Sequence, residues 1–310
     1  MKYEMIRDQD GNQHKLSKIV LGAASFGTTM SEELSFQAMD LYRHNGGNSI
    51  DTARVYCDWL ENGHGISEKT VGKWLGERNC REEFIVVTKG GHPPLSDIRH
   101  SRLTKQDIFS DVNESLEALC TDYIDLYFLH RDDESIPVEK IMDPLDELIQ
   151  SGKVRMIGAS NWRVERILEA NDYAKKNGKI PFAASQIQWS YAVANGKEAF
   201  GYGTVSMDDQ QYQLYLKAGI PVMAYSSQAN GVFARGYKED LSDIAKKHEI
   251  YYSEENILRY QRLLKFCKEN NDTPTQAALN YIIENKLNGF AIVGCSKLKQ
   301  LQEILNITRI

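Results

Sequence analysis

Short runs that are apolar almost throughout alternate along this chain with longer segments whose apolar residues recur at helical spacing. The runs are IVLGAA (19–24), NSIDTA (48–53), FIVVTK (84–89), YIDLYFLH (123–130), MIGAS (156–160), ASQIQW (184–189), PVMAYS (221–226) and FAIVGC (290–295). Between them, Leu34, Ala38, Leu41 and Tyr42 line up on one helix face, as do Ile108, Val112, Leu116 and Leu119. Continuous apolar runs suit strands buried on both faces, and a strand-then-helix rhythm implies parallel pairing through right-handed crossovers. Eight such units predict a closed (β/α)8 TIM barrel rather than an open doubly wound sheet.

Two departures from the rhythm matter. At the start, KYEMIR and QHKLSK flank Asp10-Gly11-Asn12, a turn composition that predicts a β-hairpin ahead of the barrel. Residues 227–289 form the longest stretch between strand candidates, with helices expected from about Ser253 to Glu269 and from Pro274 to Asn285, the second capped by Thr273. Such a stretch after the seventh strand belongs at the C-terminal mouth, where long loops carry function. Asp107–Ser115 has the alternating charges of a solvated helix face. No shift in composition marks a second domain, so residues 1–310 read as one barrel domain.

The composition narrows the classes of function. The chain has 310 residues and a formal charge of -6, which argues against a nucleic-acid surface built on bulk charge. It contains no apolar run of transmembrane length, and MKYEMIRDQDGNQHK has no signal-peptide core, so a cytoplasmic protein without membrane partners is expected. The five cysteines, Cys57, Cys80, Cys120, Cys267 and Cys295, are scattered and never paired as C-x-x-C. They read as reduced thiols, with neither a disulfide framework nor a metal site suggested.

In a parallel barrel, catalytic groups stand at the C-terminal ends of strands. Asp51 falls near the end of the second run, Tyr56 in the loop after it, Lys89 at the end of the third and His130 at the end of the fourth. Singly, each has an ordinary structural explanation: a turn cap, a packing aromatic, a surface lysine, a core histidine. Together they form an acid–base device. A phenol is a poor proton donor at neutral pH unless a nearby ammonium stabilises its anion, and Lys89 is placed to do so. A lysine in a barrel mouth loses solvation, and Asp51 would keep it charged. His130 would orient a carbonyl oxygen, so the implied reaction is proton delivery to a carbonyl as it becomes an alkoxide.

IDTARVY (50–56), VVTK (86–89) and FLHRDD (128–133) resemble motifs of the aldo-keto reductase family. GASNW (158–162), SQIQW (185–189), AYSSQANG (224–231) and IVGCSKLKQLQE (292–303) are similar to its later motifs, in the same order. The resemblance implies Tyr56 as proton donor, Lys89 and Asp51 as the pair that tunes it, and His130 as the group orienting the substrate. It also implies a nicotinamide dinucleotide bound across the barrel mouth, with Gly22 among the cofactor-binding residues, consistent with the absence of a G-x-G-x-x-G fingerprint in Gly22–Gly27. By the same matching, Ser160, Asn161 and Gln186 face the nicotinamide carboxamide and Tyr225 stacks on its ring. Ser226, Gln228 and Gly231 occupy the pyrophosphate loop, and Ser296, Lys297, Gln300 and Glu303 the adenosine-phosphate end. Lys297 beside a helix start favours NADPH, whereas Gln300 and Ile304 stand where many members carry arginine and asparagine, which leaves NADH open.

The loops CDWLENGHGISE and GGHPPLSDIRHSRLT overhang the expected pocket and offer Phe26, Trp59, His92 and Trp162 as walls for an aldehyde, a ketone or a sugar. Two other readings stay open at this level. One is a nicotinamide-binding regulatory subunit resembling potassium-channel β subunits. The other is an aldolase that forms a Schiff base on Lys89. Nothing in the sequence chooses a physiological substrate or an oligomeric state.

Overall fold

The computed structural model describes residues 1–8, 11–196 and 200–306. An antiparallel pair, β1 (Tyr3–Arg7) and β2 (Gln13–Ser17), opens the chain, in register from Tyr3 opposite Ser17 to Arg7 opposite Gln13. Of the expected turn, Asp10 lies outside the described residues, and Gly11 has a φ of +77°, where a glycine carries no strain.

Eight parallel strands follow: β3 (Ile19–Gly22), β4 (Ser49–Asp51), β5 (Ile85–Gly90), β6 (Ile124–Leu129), β7 (Val154–Ser160), β8 (Ala184–Gln188), β9 (Val222–Tyr225) and β10 (Gly289–Val293). They pair in chain order, and β10 closes the ring on β3, with Ala291 opposite Ile19 and Val293 opposite Leu21. The expected (β/α)8 barrel with its N-terminal hairpin is the observed fold, each strand falling on its apolar run.

Nine helices lie among the described residues: α1 (Glu32–His44), α2 (Ile66–Glu77), α3 (Lys105–Leu119), α4 (Val138–Gln150), α5 (Val164–Lys176), α6 (Asp209–Ala218), α7 (Glu254–Asn270), α8 (Pro274–Ile283) and α9 (Leu298–Leu305). Their starts follow from capping chemistry. Ser31, Thr104, Asp208 and Ser253 each accept a hydrogen bond from the backbone N–H three residues on. Thr273 and Gln276 form a reciprocal capping box at α8, with Pro274 supplying a fixed φ in the first turn.

Side-chain alternation along the strands divides the core. Val20, Val87, Leu126, Phe128, Met156, Met223, Phe290 and Ile292 fill the barrel interior, and Ile6 and Leu16 of the hairpin join that cluster. Ile19, Leu21, Ile50, Val86 and Leu129 point outward and pack with Ala38, Met39, Trp74 and Val112 of the surrounding helices. Close packing is enforced locally: a Cβ on Gly158 would stand 2.3 Å from the Phe128 ring. A third cluster, built from Val232, Phe233, Leu241, Tyr251, Tyr260 and Leu263, gives the long connection between β9 and β10 a core of its own. That core holds the connection as a wall over one side of the mouth. No helix among the described residues is long and apolar enough to cross a membrane.

Candidate active site

A cleft of about 1050 Å³ opens at the C-terminal ends of the strands. Asp51, Tyr56 and His130 line it together with Gly22, Ser160, Asn161, Gln186, Tyr225, Ser226, Gln228 and Gly231, and it continues to Ser296, Gln300 and Glu303. Residues drawn from seven strand ends and their loops therefore meet in one space.

The floor is a buried charge pair. Lys89 is the penultimate residue of β5 and is 1% exposed, and its Nζ donates to Asp51 Oδ1 at 2.7 Å, to the Thr52 carbonyl at 2.7 Å and to Tyr56 Oη at 3.0 Å. All three ammonium protons are engaged. The second oxygen of Asp51 accepts from Gln186 Nε2 at 2.8 Å, which ties β8 to β4 across the barrel. Asp51 and the other lysine acceptors outweigh burial and hold the Lys89 ammonium above its ordinary pKa. Burial raises the Tyr56 pKa, and the Lys89 charge opposes that rise. In the structure the lysine thus limits an upward shift rather than producing a net fall.

Tyr56 is held by its loop. The Arg54 N–H donates to the Lys89 carbonyl at 3.1 Å, while its guanidinium reaches Glu114 at 2.7 Å and Asp58 at 3.1 Å. The segment carrying Tyr56 is clamped at both ends of that short span, and the turn continues through Cys57 at a φ of +75°.

His130 caps β6, and its ring stands 5.9 Å from that of Tyr56, edge to face. Burial and the positive charge of Arg131 drive its pKa well below the ordinary histidine value, so the imidazole is neutral. Its Nδ1 is buried without a hydrogen-bond partner. The His130 carbonyl is gripped by Asn161 Nδ2 at 3.1 Å and by Arg131 Nη1 at 3.0 Å. Asn161 sits at a φ of +59°, and its Oδ1 accepts from Tyr225 Oη at 2.8 Å, so β6, β7 and β9 are locked together by one amide.

The other expected residues divide by position. Trp59 is largely exposed and meets the Tyr56 ring at 6.5 Å, and His92 meets His130 at 4.9 Å, so both adjoin this pair without themselves lining the cleft. Burial holds His92 down to a pKa of about 4. Phe26 and Trp162 are fully buried and belong to the packing between barrel and helices, where Trp162 stacks edge-on against Phe182 at 5.4 Å. Neither lines the cleft. Lys297 is exposed at the cap of α9, and the Gln300 side chain accepts from the N–H groups of Ser296 (2.9 Å) and Lys297 (3.2 Å).

The structure also brings in residues that sequence reading missed. Arg131, Phe200, Arg235, Lys247 and Cys295 line the same cleft. All but Arg131 and Cys295 come from long loops, where no strand-end rule points to them. Ser226, Ala229 and Asn230 have φ values of 49°, 47° and 54°, left-handed conformations that cluster where a backbone is shaped around a ligand. Nothing stands within 4 Å of where a Cβ of Gly231 or Gly294 would lie, so both glycines leave open space on the cleft wall.

Fold and cleft together define a class, a parallel-barrel enzyme with a buried lysine–aspartate pair beneath a phenol. The profile of the Aldo/keto reductase family matches residues 18–310, and the chain belongs to that family. It is accordingly an oxidoreductase that reduces carbonyl groups. An uncharacterized oxidoreductase, YrpG, of Bacillus subtilis is 26% identical over 303 residues, covering 96% of this chain and 88% of the relative. A norsolorinic acid reductase of Aspergillus flavus is 27% identical over 305 residues, covering 93% and 73%. An aryl-alcohol dehydrogenase [NADP(+)] of Phanerodontia chrysosporium is 33% identical over 194 residues, 56% of this chain and 48% of the relative.

Proposed function

We propose that this protein is an NADPH-dependent reductase of aldehydes or ketones, with Tyr56 as proton donor. The observation that carries the reading is the three-way hydrogen bonding of Lys89 to Asp51, Thr52 and Tyr56 at the floor of the cleft.

The residues present fit a dinucleotide. The loop with left-handed residues at Ser226, Ala229 and Asn230 and the open backbone at Gly231 and Gly294 leave room for close approach of phosphates. Arg235 and Lys247 line the same wall, and among the described residues neither has an acidic partner within ion-pair distance. They supply positive charge that Lys297 alone was expected to give, and they favour NADPH over NADH. Ser160, Asn161, Gln186 and Tyr225 would hold the nicotinamide end, and Gln228, Ser296, Gln300 and Glu303 the remainder. When bound, the cofactor supplies a hydride equivalent to a carbonyl carbon.

The chain's own part is proton management and positioning. Neutral His130 and Tyr56 line the cleft side by side, their rings 5.9 Å apart, so a carbonyl oxygen bound between them would accept from both. Tyr56 gives its proton to that oxygen as it becomes an alkoxide, and the Lys89 ammonium 3.0 Å away steadies the phenolate left behind. Asp51 keeps Lys89 protonated throughout. Because Lys89 is charged and fully hydrogen-bonded, it is a poor nucleophile, which weighs against the Schiff-base aldolase. Several relatives carry aryl-alcohol dehydrogenase in their names, so aryl aldehydes are the first substrates to try. The free thiols of all five cysteines accord with a cytoplasmic enzyme.

The test is the rate of NADPH oxidation with a reactive aryl aldehyde in wild type and Tyr56→Phe, with NADH in parallel. Tyr56→Phe should lose roughly 10²- to 10⁴-fold in turnover while keeping its affinity for NADPH. Undiminished turnover would remove Tyr56 from its role.

A further inference from the structure

The residue after His130 is an arginine whose charge meets no carboxylate among the described residues. Arg131 lines the cleft beside Tyr56, His130 and Tyr225. Two aspartates follow it in the sequence, yet both turn elsewhere: Asp132 faces Arg166 at 3.5 Å, and Asp133 accepts from the Ser135 hydroxyl at 2.6 Å. Among the described residues no carboxylate comes within ion-pair distance of the Arg131 guanidinium. Its Nη1 donates to the neighbouring His130 carbonyl, and its Nε is buried with no partner at all.

Burial lowers the pKa of this guanidinium, and the groups that act in the opposite direction are the hydroxyls of Tyr225 and Tyr56. His130 and His92, which also face it, are both held neutral partly by its charge. The backbone is held, since the Arg131 carbonyl accepts from Trp162 Nε1 at 3.2 Å, and the stem passes Gly203, where a side chain's Cβ would stand 3.4 Å from its Cδ. A half-buried cation with a buried, unpartnered Nε and spare N–H groups is costly to keep unless something anionic binds it.

That something is not the far end of the dinucleotide. Arg131 follows β6, which is four strands from β10 around an eight-stranded ring, hence across the mouth from Ser296, Gln300 and Glu303. Its neighbours are the reacting groups themselves. The guanidinium fork matches a carboxylate or a phosphate oxygen pair.

We propose that Arg131 is the specificity residue for an acidic group on the carbonyl substrate, so that the preferred substrates are aldehydes or ketones carrying a carboxylate or phosphate. The inference rests on the carbonyl-reductase reading above and names the substrate class for that same cleft. Carboxylate and phosphate are separated by two matched pairs: 4-carboxybenzaldehyde against its neutral methyl ester, and glyceraldehyde 3-phosphate against glyceraldehyde.

The experiment measures kcat and KM for both pairs with wild type, Arg131→Met and Arg131→Lys, and NADPH affinity by fluorescence. Wild type should favour the charged member of at least one pair. In Arg131→Met that preference should fall by roughly 10- to 100-fold, expressed mainly in KM, and Arg131→Lys should regain part of it. An unchanged preference in Arg131→Met, no preference in wild type, or a loss confined to NADPH affinity would each overturn the proposal. If no carbonyl is turned over by wild type, the reductase reading fails separately. Arg131 is then read by calorimetry with benzoate and inorganic phosphate: binding that is lost in Arg131→Met sustains the anion site, and equal or absent binding overturns it.

Discussion

Replacing Lys89 by methionine isolates the charge pair under the cleft, because the two side chains are similar in length and only the ammonium is lost. Asp51 would then keep a single partner, Gln186 Nε2, and the Thr52 carbonyl would lose its donor. At 2.7 Å and an effective dielectric constant of about 20, the direct attraction between the charges is about 6 kcal/mol. Desolvation of both ions offsets much of that, but removing one partner strands the other, which typically costs about 3–5 kcal/mol. Lys89→Met should therefore lower unfolding stability in urea by about that amount. The double variant Asp51→Asn with Lys89→Met removes the stranded charge and should recover part of the loss, a coupling of about 1–3 kcal/mol. Turnover should be lost in both, since Tyr56 remains buried without the ammonium that opposes its upward pKa shift. A single variant as stable as wild type, or a double variant no more stable than the single, would refute the account of Lys89 and Asp51 as a mutually dependent buried pair.

Three further outcomes are expected. Arg235→Gln combined with Lys247→Met should raise KM for NADPH by roughly tenfold or more while changing KM for NADH little, and equal changes for the two cofactors would remove these cations from the 2'-phosphate. Glu68, buried in α2 and accepting from Thr88 Oγ1 at 2.6 Å, has its carboxyl raised from 4.5 to about 7 by burial. Between those values the folded protein holds a proton that the unfolded chain releases, so stability falls as pH rises through the window, by about 3 kcal/mol in all; Glu68→Gln should flatten urea-midpoint profiles from pH 5 to 8, and an unchanged slope would refute the assignment. Thr273→Ala, which breaks the capping box of α8, should cost about 1 kcal/mol in the same assay with catalysis retained, and no loss of stability would refute the capping contribution.

How much of this was legible before the fold was known follows from where each signal resides. Strands buried on both faces announce themselves as apolar runs, so Lys89 and His130 stood out as polar residues closing such runs, and the barrel rule placed them at one rim. Asp51 was legible for the same reason, and Tyr56 through the motif it ends. What the chain order does not carry is the pairing of charges brought together by loops. In HRDDE the nearest acids to Arg131 are its immediate successors, and a local ion pair is the natural expectation, yet Asp132 is taken by Arg166 of α5 and Asp133 by its own turn. Phe26 and Trp162 show the converse. Both sit in sequence beside cleft-lining residues, Ser25 and Asn161, yet their side chains leave the cleft for the packing between barrel and helices. Arg235 and Lys247 lie in a connection whose small core, around Phe233 and Tyr260, joins residues far apart in sequence. Strand ends thus encode the chemistry locally, whereas the charges that choose cofactor and substrate are set by which acids the rest of the fold has already claimed.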